Sequence, residues 1–279
     1  MARDSIRTIA VLKAPRATSR TPPPFAPPAR ATEPPTVVSA NTVGYQRLTI
    51  PANGYALLAN PFVQVGTGTT DDPVGYAIND MFNDDVGKST AGNTPGLGDQ
   101  MQIWDTIRQG YTTYFFSARA GNKWASSSTP REAASKTFEF GDGFWYLNRG
   151  DEGFLLTTSG EVSTNEVEVT LAAHGYTLVC NPFPADLPLN SVDIDWVAAK
   201  ATAGNTPGLG DQIQLWDIER QGYTTYFFSA RAGNKWASSS TPREATTKAI
   251  PAGQGFWYLN RGDDDVVINL KSPLVSSGN

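Results

Sequence analysis

The chain has 279 residues, of which 39% are hydrophobic and 11% aromatic, so it is long enough to bury ordinary hydrophobic cores. Its net charge is −5, and its N-terminus is basic, so the remaining body is acidic. An acidic body is repelled by phosphate, which argues against nucleic-acid binding. No run of about 18 apolar residues is present to span a membrane. The apolar run at residues 9–12 is too short for a secretory signal, so an exported protein would use another route or a signal outside this sequence.

Residues 1–36 differ in composition from the rest of the chain. They hold eight prolines between Pro15 and Pro35, and six basic residues against two acidic ones. This composition predicts an extended, polyproline-like arm that acts as a spacer, headed by a short apolar segment at residues 5–13 that suits a strand or a turn or two of helix. We expect the arm to dock on a neighbouring subunit, because a basic arm suits an acidic body. A soluble, disordered tail is the alternative. The residues expected to make the contact are Ile6, Ile9, Val11, Leu12, Arg3 and Arg7.

One block of sequence occurs twice, at residues 91–133 and 203–245, with an offset of 112 residues. Upstream, residues 53–62 match residues 174–183 less closely and at an offset of 121. The pattern predicts an internal duplication with two modules, 37–160 and 161–279. Either recombination has recently homogenised the block, or the same surface is needed twice. The four differing pairs in the block are Met101/Ile213, Ile103/Leu215, Thr106/Ile218 and Ile107/Glu219.

Short alternating segments bounded by turn residues predict strands throughout both modules. Residues 42–50 and 55–59 are expected to form a hairpin, and residues 74–82 and 189–199 a helical turn or two, with Asn190 or Ser191 as a cap. The predicted fold is all-β, with two tandem antiparallel β-sandwich or barrel-like modules behind the Pro-rich arm. Further strands are predicted at residues 100–105, 111–117, 123–127, 136–140, 143–148 and 154–158, and the second module repeats this order.

No catalytic constellation is apparent. His174 is the only histidine and replaces Asn53 of the first module in a turn, so neither a histidine-dependent triad nor a zinc site is expected. The glycines of residues 94–100 do not follow a strand and open a helix, as a phosphate-binding loop would. We therefore predict that the protein is not an enzyme and has no cofactor. Cys180, the only cysteine, is expected to be a small core residue.

Asp99 and Asp211 recur in both copies of the sequence GLGDQ. We expect a structural role for them, either in a turn hydrogen bond or as weak calcium candidates. Acidic residues also cluster at 71–72, 80–85 and 263–265. Because none of these clusters follows an EF-hand spacing, solvated turn acids are the favoured interpretation.

Aromatic residues near the turn after residue 120 offer a candidate sugar-binding or interface surface. A row of rings on neighbouring strands can stack on sugar rings, although large aromatic side chains more often fill a sandwich interior. Four other tryptophans, Trp104, Trp145, Trp216 and Trp257, are surrounded by apolar residues and are expected in the core. The candidate glycan or interface aromatics are Tyr111, Tyr114, Trp124, Tyr223, Tyr226 and Trp236.

Several short motifs resemble those of a recurrent β-module of bacterial and archaeal surface proteins. That module contains a "GWNL-x-S-x-P" strand, a "W-x-Y" hairpin and a "GYW" strand in the same order. The resemblance covers most of residues 43–270, with Tyr where Trp is usual in the first motif, and implies a structural or adhesive module outside the cell. The matching residues are Gly54, Tyr55, Leu57, Asn60, Pro61, Ile103, Trp104, Trp124, Gly143, Phe144 and Trp145, with Gly175, Pro182, Trp216, Trp236, Gly255 and Trp257 in the second module.

Together these patterns predict a non-enzymatic structural subunit that polymerises with itself into a filament, tube or surface layer, located outside the cell or on its surface. A strand followed by a spacer suits donation of that strand to a neighbouring sheet. A glycan-binding or adhesive β-protein and a virion protein, either a phage coat or a decoration protein, are the alternatives.

Overall fold

The computed structural model describes residues 42–64, 68–69, 72–73, 75–82, 87–105 and 108–274. Over these residues the fold is all-β, with several antiparallel sheets, which confirms the predicted fold class. The predicted arm, 1–36, with its six contact residues, lies outside the described residues, and so do Asp71, Asp84 and Asp85 of the acidic clusters.

Over its described residues, the first module contains eleven strands. A short 3-10 turn, Ala118–Ala120, follows the seventh of them. The strands are β1 (Val43–Ile50), β2 (Tyr55–Ala59), β3 (Gly68–Thr69), β4 (Asp72–Pro73), β5 (Tyr76–Ala77), β6 (Gln100–Asp105), β7 (Gly110–Ser117), β8 (Lys123–Ser126), β9 (Thr137–Phe138), β10 (Gly143–Leu147) and β11 (Phe154–Glu161).

As far as residue 274, the second module repeats this arrangement with nine strands and the 3-10 turn Ala230–Ala232. The strands are β12 (Val167–Leu171), β13 (Tyr176–Cys180), β14 (Leu187–Pro188), β15 (Gln212–Asp217), β16 (Gly222–Ser229), β17 (Lys235–Ser238), β18 (Ala249–Ile250), β19 (Gly255–Leu259) and β20 (Val266–Leu270).

Each module has one large sheet and one small sheet. The large sheets have the orders β2-β10-β6-β7-β8 and β13-β19-β15-β16-β17, and the small sheets are β1-β11 and β12-β20. Equivalent strands therefore occupy equivalent places in the two modules. Shorter pairs, β3-β4, β5-β9 and β14-β18, lie beside these sheets.

The predicted hairpin of residues 42–50 and 55–59 is wrong. β1 pairs with β11 over its whole length, whereas β2 pairs with β10. The turn between them, in which Asn53 has a positive φ of 46°, carries the chain from the small sheet to the large one. The two sheets of a sandwich share one core. After the turn, the strand makes its backbone hydrogen bonds in the other sheet.

No α-helix forms at residues 189–199 or at the described residues of 74–82, where a helical turn or two was predicted. Each range has one bond of the helical i+4 to i type, from the N–H of Met81 to the carbonyl of Ala77 and from the N–H of Ala199 to that of Asp195. Asn190 is not a helix cap. Its side chain bonds to both backbone groups of Trp236, with the N–H of Trp236 donating to Oδ1 at 2.8 Å and Nδ2 donating to the carbonyl at 3.1 Å. Asn79 does the same for Trp124 in the first module. These amides close the outer edges of β8 and β17.

The cores lie between the large and the small sheet of each module. Trp124 is fully buried in the first core, with its ring 5.4 Å from Phe116 and 5.7 Å from Tyr146. Trp236 is the equivalent in the second core, 5.4 Å from Phe228. Small and large sheets both contribute apolar residues to each cluster.

Candidate functional site: the module junction and the groove along β12

A buried carboxylate ties three segments of the first module together. Asp99 is completely buried and accepts hydrogen bonds from the backbone N–H of Thr90 at 3.0 Å and of Arg149 at 2.7 Å. It also accepts one from the hydroxyl of Tyr146 at 2.8 Å. Burial raises the pKa of Asp99, while these hydrogen bonds act in the opposite direction.

The same arrangement recurs at Asp211, whose donors are the N–H groups of Thr202 and Arg261 and the hydroxyl of Tyr258. Of the two roles expected for Asp99 and Asp211, these contacts support the hydrogen-bonded one, because both side chains are completely buried and three N–H and O–H donors face each carboxylate. Within the described residues, no group of three or more His, Cys, Asp or Glu side chains could hold a metal ion.

Most of the predicted glycan aromatics lie in the cores. Trp124 and Trp236 are 0% exposed and Tyr226 is 5% exposed, so their rings cannot stack on a sugar. Tyr114 packs against the first core. Tyr111 and Tyr223, in contrast, are each 44% exposed. The interpretation as sugar-binding rings is therefore wrong for Trp124, Trp236 and Tyr226, because these side chains are buried on the inner face of the large sheet, where Tyr114 is partly buried as well.

The outer faces of the two large sheets pack against each other and form the module junction. Trp104 of the first module lies edge to face against Trp257 of the second, with ring centroids 5.0 Å apart. Trp145 and Trp216 make the equivalent contact at 4.8 Å. Trp145 and Trp257 are buried, as predicted, but none of the four tryptophans belongs to the hydrophobic cluster of either module. An approximate two-fold relation connects the two pairs.

The junction is closed on the side of Tyr55. The side chain of Gln221 accepts from the backbone N–H of Tyr55 at 2.7 Å and donates to its carbonyl at 3.0 Å. The indole Nε1 of Trp216 donates to the same carbonyl at 3.0 Å. On the opposite side, Trp104 occupies the equivalent place, but its buried Nε1 has no partner among the described residues. The two sides are therefore not equivalent.

An open groove of about 260 Å³ lies on this second side, and we call it the junction groove. It brings Tyr111 and Tyr223, two of the candidate glycan or interface aromatics, together with Trp104 and Trp257, which were expected in the core, and with Tyr176. All the side chains that line it are aromatic or amide. The lining residues are Trp104, Gln109, Tyr111, Tyr176, Gln214, Tyr223 and Trp257.

A second groove follows the edge strand β12, and we call it the β12 groove. Two adjoining depressions of about 340 and 290 Å³ share Phe140, Val167 and Glu168 and together form it. Its wall also includes residues of β13, which is the edge strand of the large sheet. The larger depression is acidic, and the smaller one adds Val169, Leu178 and Val179 to the carboxylates of Asp142 and the shared Glu168. The acidic residues that line it are Glu139, Asp142, Glu166 and Glu168.

Basic residues balance only part of this acidity. Lys271 lies 3.7 Å from Glu166, and Lys136 lies 3.9 Å from Asp142. Glu139 and Glu168 make no ion pair with any described residue. Burial raises the pKa of Asp142. The groove therefore keeps a net negative charge at neutral pH.

Other residues singled out in the sequence lie apart from these grooves or contribute only packing. His174 lies in an exposed turn, 3.0 Å from Asp263. Cys180 is buried, and burial raises the pKa of its thiol. Across the part of the chain that the structure describes, no helix has the length and apolar character needed to cross a membrane.

A signal for the junction tryptophans was present in the strand alternation. On β6, Met101 and Ile103 point to the core, so Trp104 shares the outer face with Gln102. On β10, Phe144 and Tyr146 point inward, which places Trp145 outward. The polarity of Gln102 indicates which face of the sheet is the outer one. The hydrophobicity of the tryptophans alone does not.

Comparisons of the chain with protein-family models, with curated proteins and with solved structures gave no match. The resemblance to the repeated modules of surface proteins therefore stays a prediction.

Proposed function

We propose that the protein is a non-enzymatic structural subunit that assembles with copies of itself, and that the basic arm of one copy docks in the β12 groove of the next. The observation that carries the proposal is the charge and shape of that groove. An edge strand leaves backbone N–H and C=O groups to pair with an added strand.

The order of charge and apolar residues in the arm matches the groove. Arg3 and Arg7 stand at the start of the predicted donor strand, and Ile9, Val11 and Leu12 follow. In the groove, the depression lined by three glutamates adjoins one in which valine and leucine side chains lie beside Asp142 and Glu168. The start of the arm, with its basic and apolar residues, is therefore complementary to the surface along the edge strand β12.

Among the described residues, the acidic groove lies along β12 of the second module. At the position equivalent to Glu168, β1 has Arg47, which lines a groove of about 460 Å³ beside the first module. One arm and one acidic groove per chain favour a head-to-tail contact, which generates a ring or an open filament.

The energy of a single arm is small. Burying four apolar side chains contributes about 1.5–3 kcal/mol each, and ordering nine residues costs about 1–2 kcal/mol each. Backbone hydrogen bonds, the charge match and many simultaneous contacts in an assembly must supply the remainder.

Charge reversal provides the test. The reversals Glu139→Lys with Glu168→Lys, or Arg3→Glu with Arg7→Glu, are each expected to abolish assembly, and combining all four to restore it. Removal of residues 1–36 is expected to leave folded monomer. Electron microscopy and analytical ultracentrifugation measure the outcome.

Glu219→Lys is the matched control, because Glu219 is exposed and lies outside the groove. Assemblies like those of the wild type from the truncated protein would refute docking of the arm. A full chain that stays monomeric at high concentration would refute the structural function itself.

A further inference from the structure

The junction groove combines aromatic rings with neutral hydrogen-bonding groups. Two tryptophans, three tyrosines and two glutamines line it, and among the described residues no charged side chain does. A groove with this lining offers little to a charged phosphate or carboxylate, because no cation is present to offset the desolvation of the anion. It favours a neutral ligand that has both apolar surface and hydroxyl groups.

The tyrosine hydroxyls are oriented by the indoles beside them. Trp257 donates its Nε1 hydrogen to the hydroxyl of Tyr223 at 3.0 Å, and Trp145 donates to that of Tyr111 at 3.2 Å. A phenol oxygen that accepts a hydrogen bond still has its own hydrogen to donate. Two O–H donors are therefore held in place at the groove before a ligand binds, so binding does not carry the entropy cost of fixing free side chains.

The asymmetry of the junction leaves the groove open on one side. On the other, Gln221 and Trp216 bond to the backbone of Tyr55 and close the space. Tyr176, the equivalent of Tyr55, makes a hydroxyl contact with Gln214 at 3.4 Å instead. The sequence block is thus used twice, once to close the junction and once to form a cavity.

We propose that the junction groove binds one ring of a neutral carbohydrate. The C–H face of a pyranose is apolar and slightly positive, and it packs on the electron-rich face of an aromatic ring. Phenol and amide groups at the rim match the hydroxyls of the sugar. The volume of about 260 Å³ is just below the range of about 300–1,000 Å³ for drug-sized ligands, which suits a single ring. This site does not depend on assembly of the chain.

The repeat supplies a matched pair of variants for the test. Tyr176 and Tyr55 have nearly equal exposure, 38% and 37%, and each lies edge to face on one tryptophan at 6.0 and 5.9 Å. Only Tyr176 lines the groove. Full-length protein, Tyr176→Ala and Tyr55→Ala are titrated with neutral gluco-, galacto- and manno-oligosaccharides, with tryptophan fluorescence and calorimetry as readouts.

At least one oligosaccharide is expected to bind, with affinity about 5- to 10-fold weaker in Tyr176→Ala and unchanged in Tyr55→Ala. Gln214→Ala is expected to weaken binding, and its equivalent Gln102→Ala is not. Equal losses in both members of a pair would overturn the proposal, and so would a failure of every oligosaccharide to bind. Binding of tetramethylammonium in place of the sugars would assign the groove to a cation instead.

Discussion

Asp211 shows how single buried polar side chains hold the loops of these modules. It is completely buried, and its two oxygens accept from two backbone N–H groups and one tyrosine hydroxyl. Buried polar groups are retained only when they are hydrogen-bonded, and a carboxylate with three donors meets that condition. Asn260 acts in a similar way on the next turn, through the carbonyls of Leu171 and Asp264.

We predict that Asp211→Asn lowers the free energy of unfolding by about 1–3 kcal/mol, because the amide presents N–H hydrogens where donors already point. Tyr258→Phe removes only one donor and should cost less, about 1 kcal/mol. Urea unfolding measures both. Neither calcium nor a chelator should shift the midpoint; a calcium-dependent shift that Asp211→Asn abolishes would restore the ion-binding interpretation.

The turn between β15 and β16 shows how one element of the repeated block has taken on a new contact. Ile218 in this turn packs against the core of the first module and lines the groove beside β1. The first copy of the block has Thr at the equivalent position. Among the differences between the copies, this one introduces an apolar side chain at the junction.

We predict that Ile218→Thr, which copies the first module, lowers the free energy of unfolding by about 1 kcal/mol, because about one methylene of packing is lost and a hydroxyl is placed against apolar atoms. Glu219→Ile copies the neighbouring difference at an exposed position and should change little. Chemical denaturation of both variants against the wild type measures this. Equal effects from the two substitutions would contradict a role of Ile218 in the junction.

At the scale of the whole molecule, the two modules are joined by rings from their large sheets. Burial raises the pKa of Tyr223 from its ordinary value of 10.0 to about 12, and it also raises the pKa of Tyr111 beside it. Within the cores, burial raises the pKa of Tyr146 and Tyr258 as well. Each of these phenols is more easily deprotonated in the unfolded chain than in the folded one.

We therefore predict that these tyrosines contribute stability below pH 10, which is lost as the pH rises from 10 towards 12. The sign follows because the folded state binds more protons than the unfolded state in this window. Thermal unfolding and tyrosinate absorbance across the window measure the effect. In Tyr223→Phe the decline should be shallower, and an unchanged slope would contradict the assignment to Tyr223.

Much of the secondary structure follows from local sequence, and the failures have identifiable causes. Strands such as β6, β7 and β10 agree with their predicted bounds to within about a residue because alternation and turn residues act over short distances. The hairpin of β1 and β2 failed since pairing partners are chosen by the shared core and not by the nearest turn. Asn79 and Asn190 were missed as edge clamps because their partners lie 45 and 46 residues away.

The all-β class, the repeated block and the alternation along each strand follow from the amino-acid sequence, because they depend on the residues of one segment. What covers the outer face of each large sheet follows from the tertiary structure, which places the second module there. A tryptophan side chain is equally apolar on either face of a sheet, so hydrophobicity alone does not distinguish Trp104 from Trp124. Their different roles arise because a second module, distant along the chain, covers the outer face of the first.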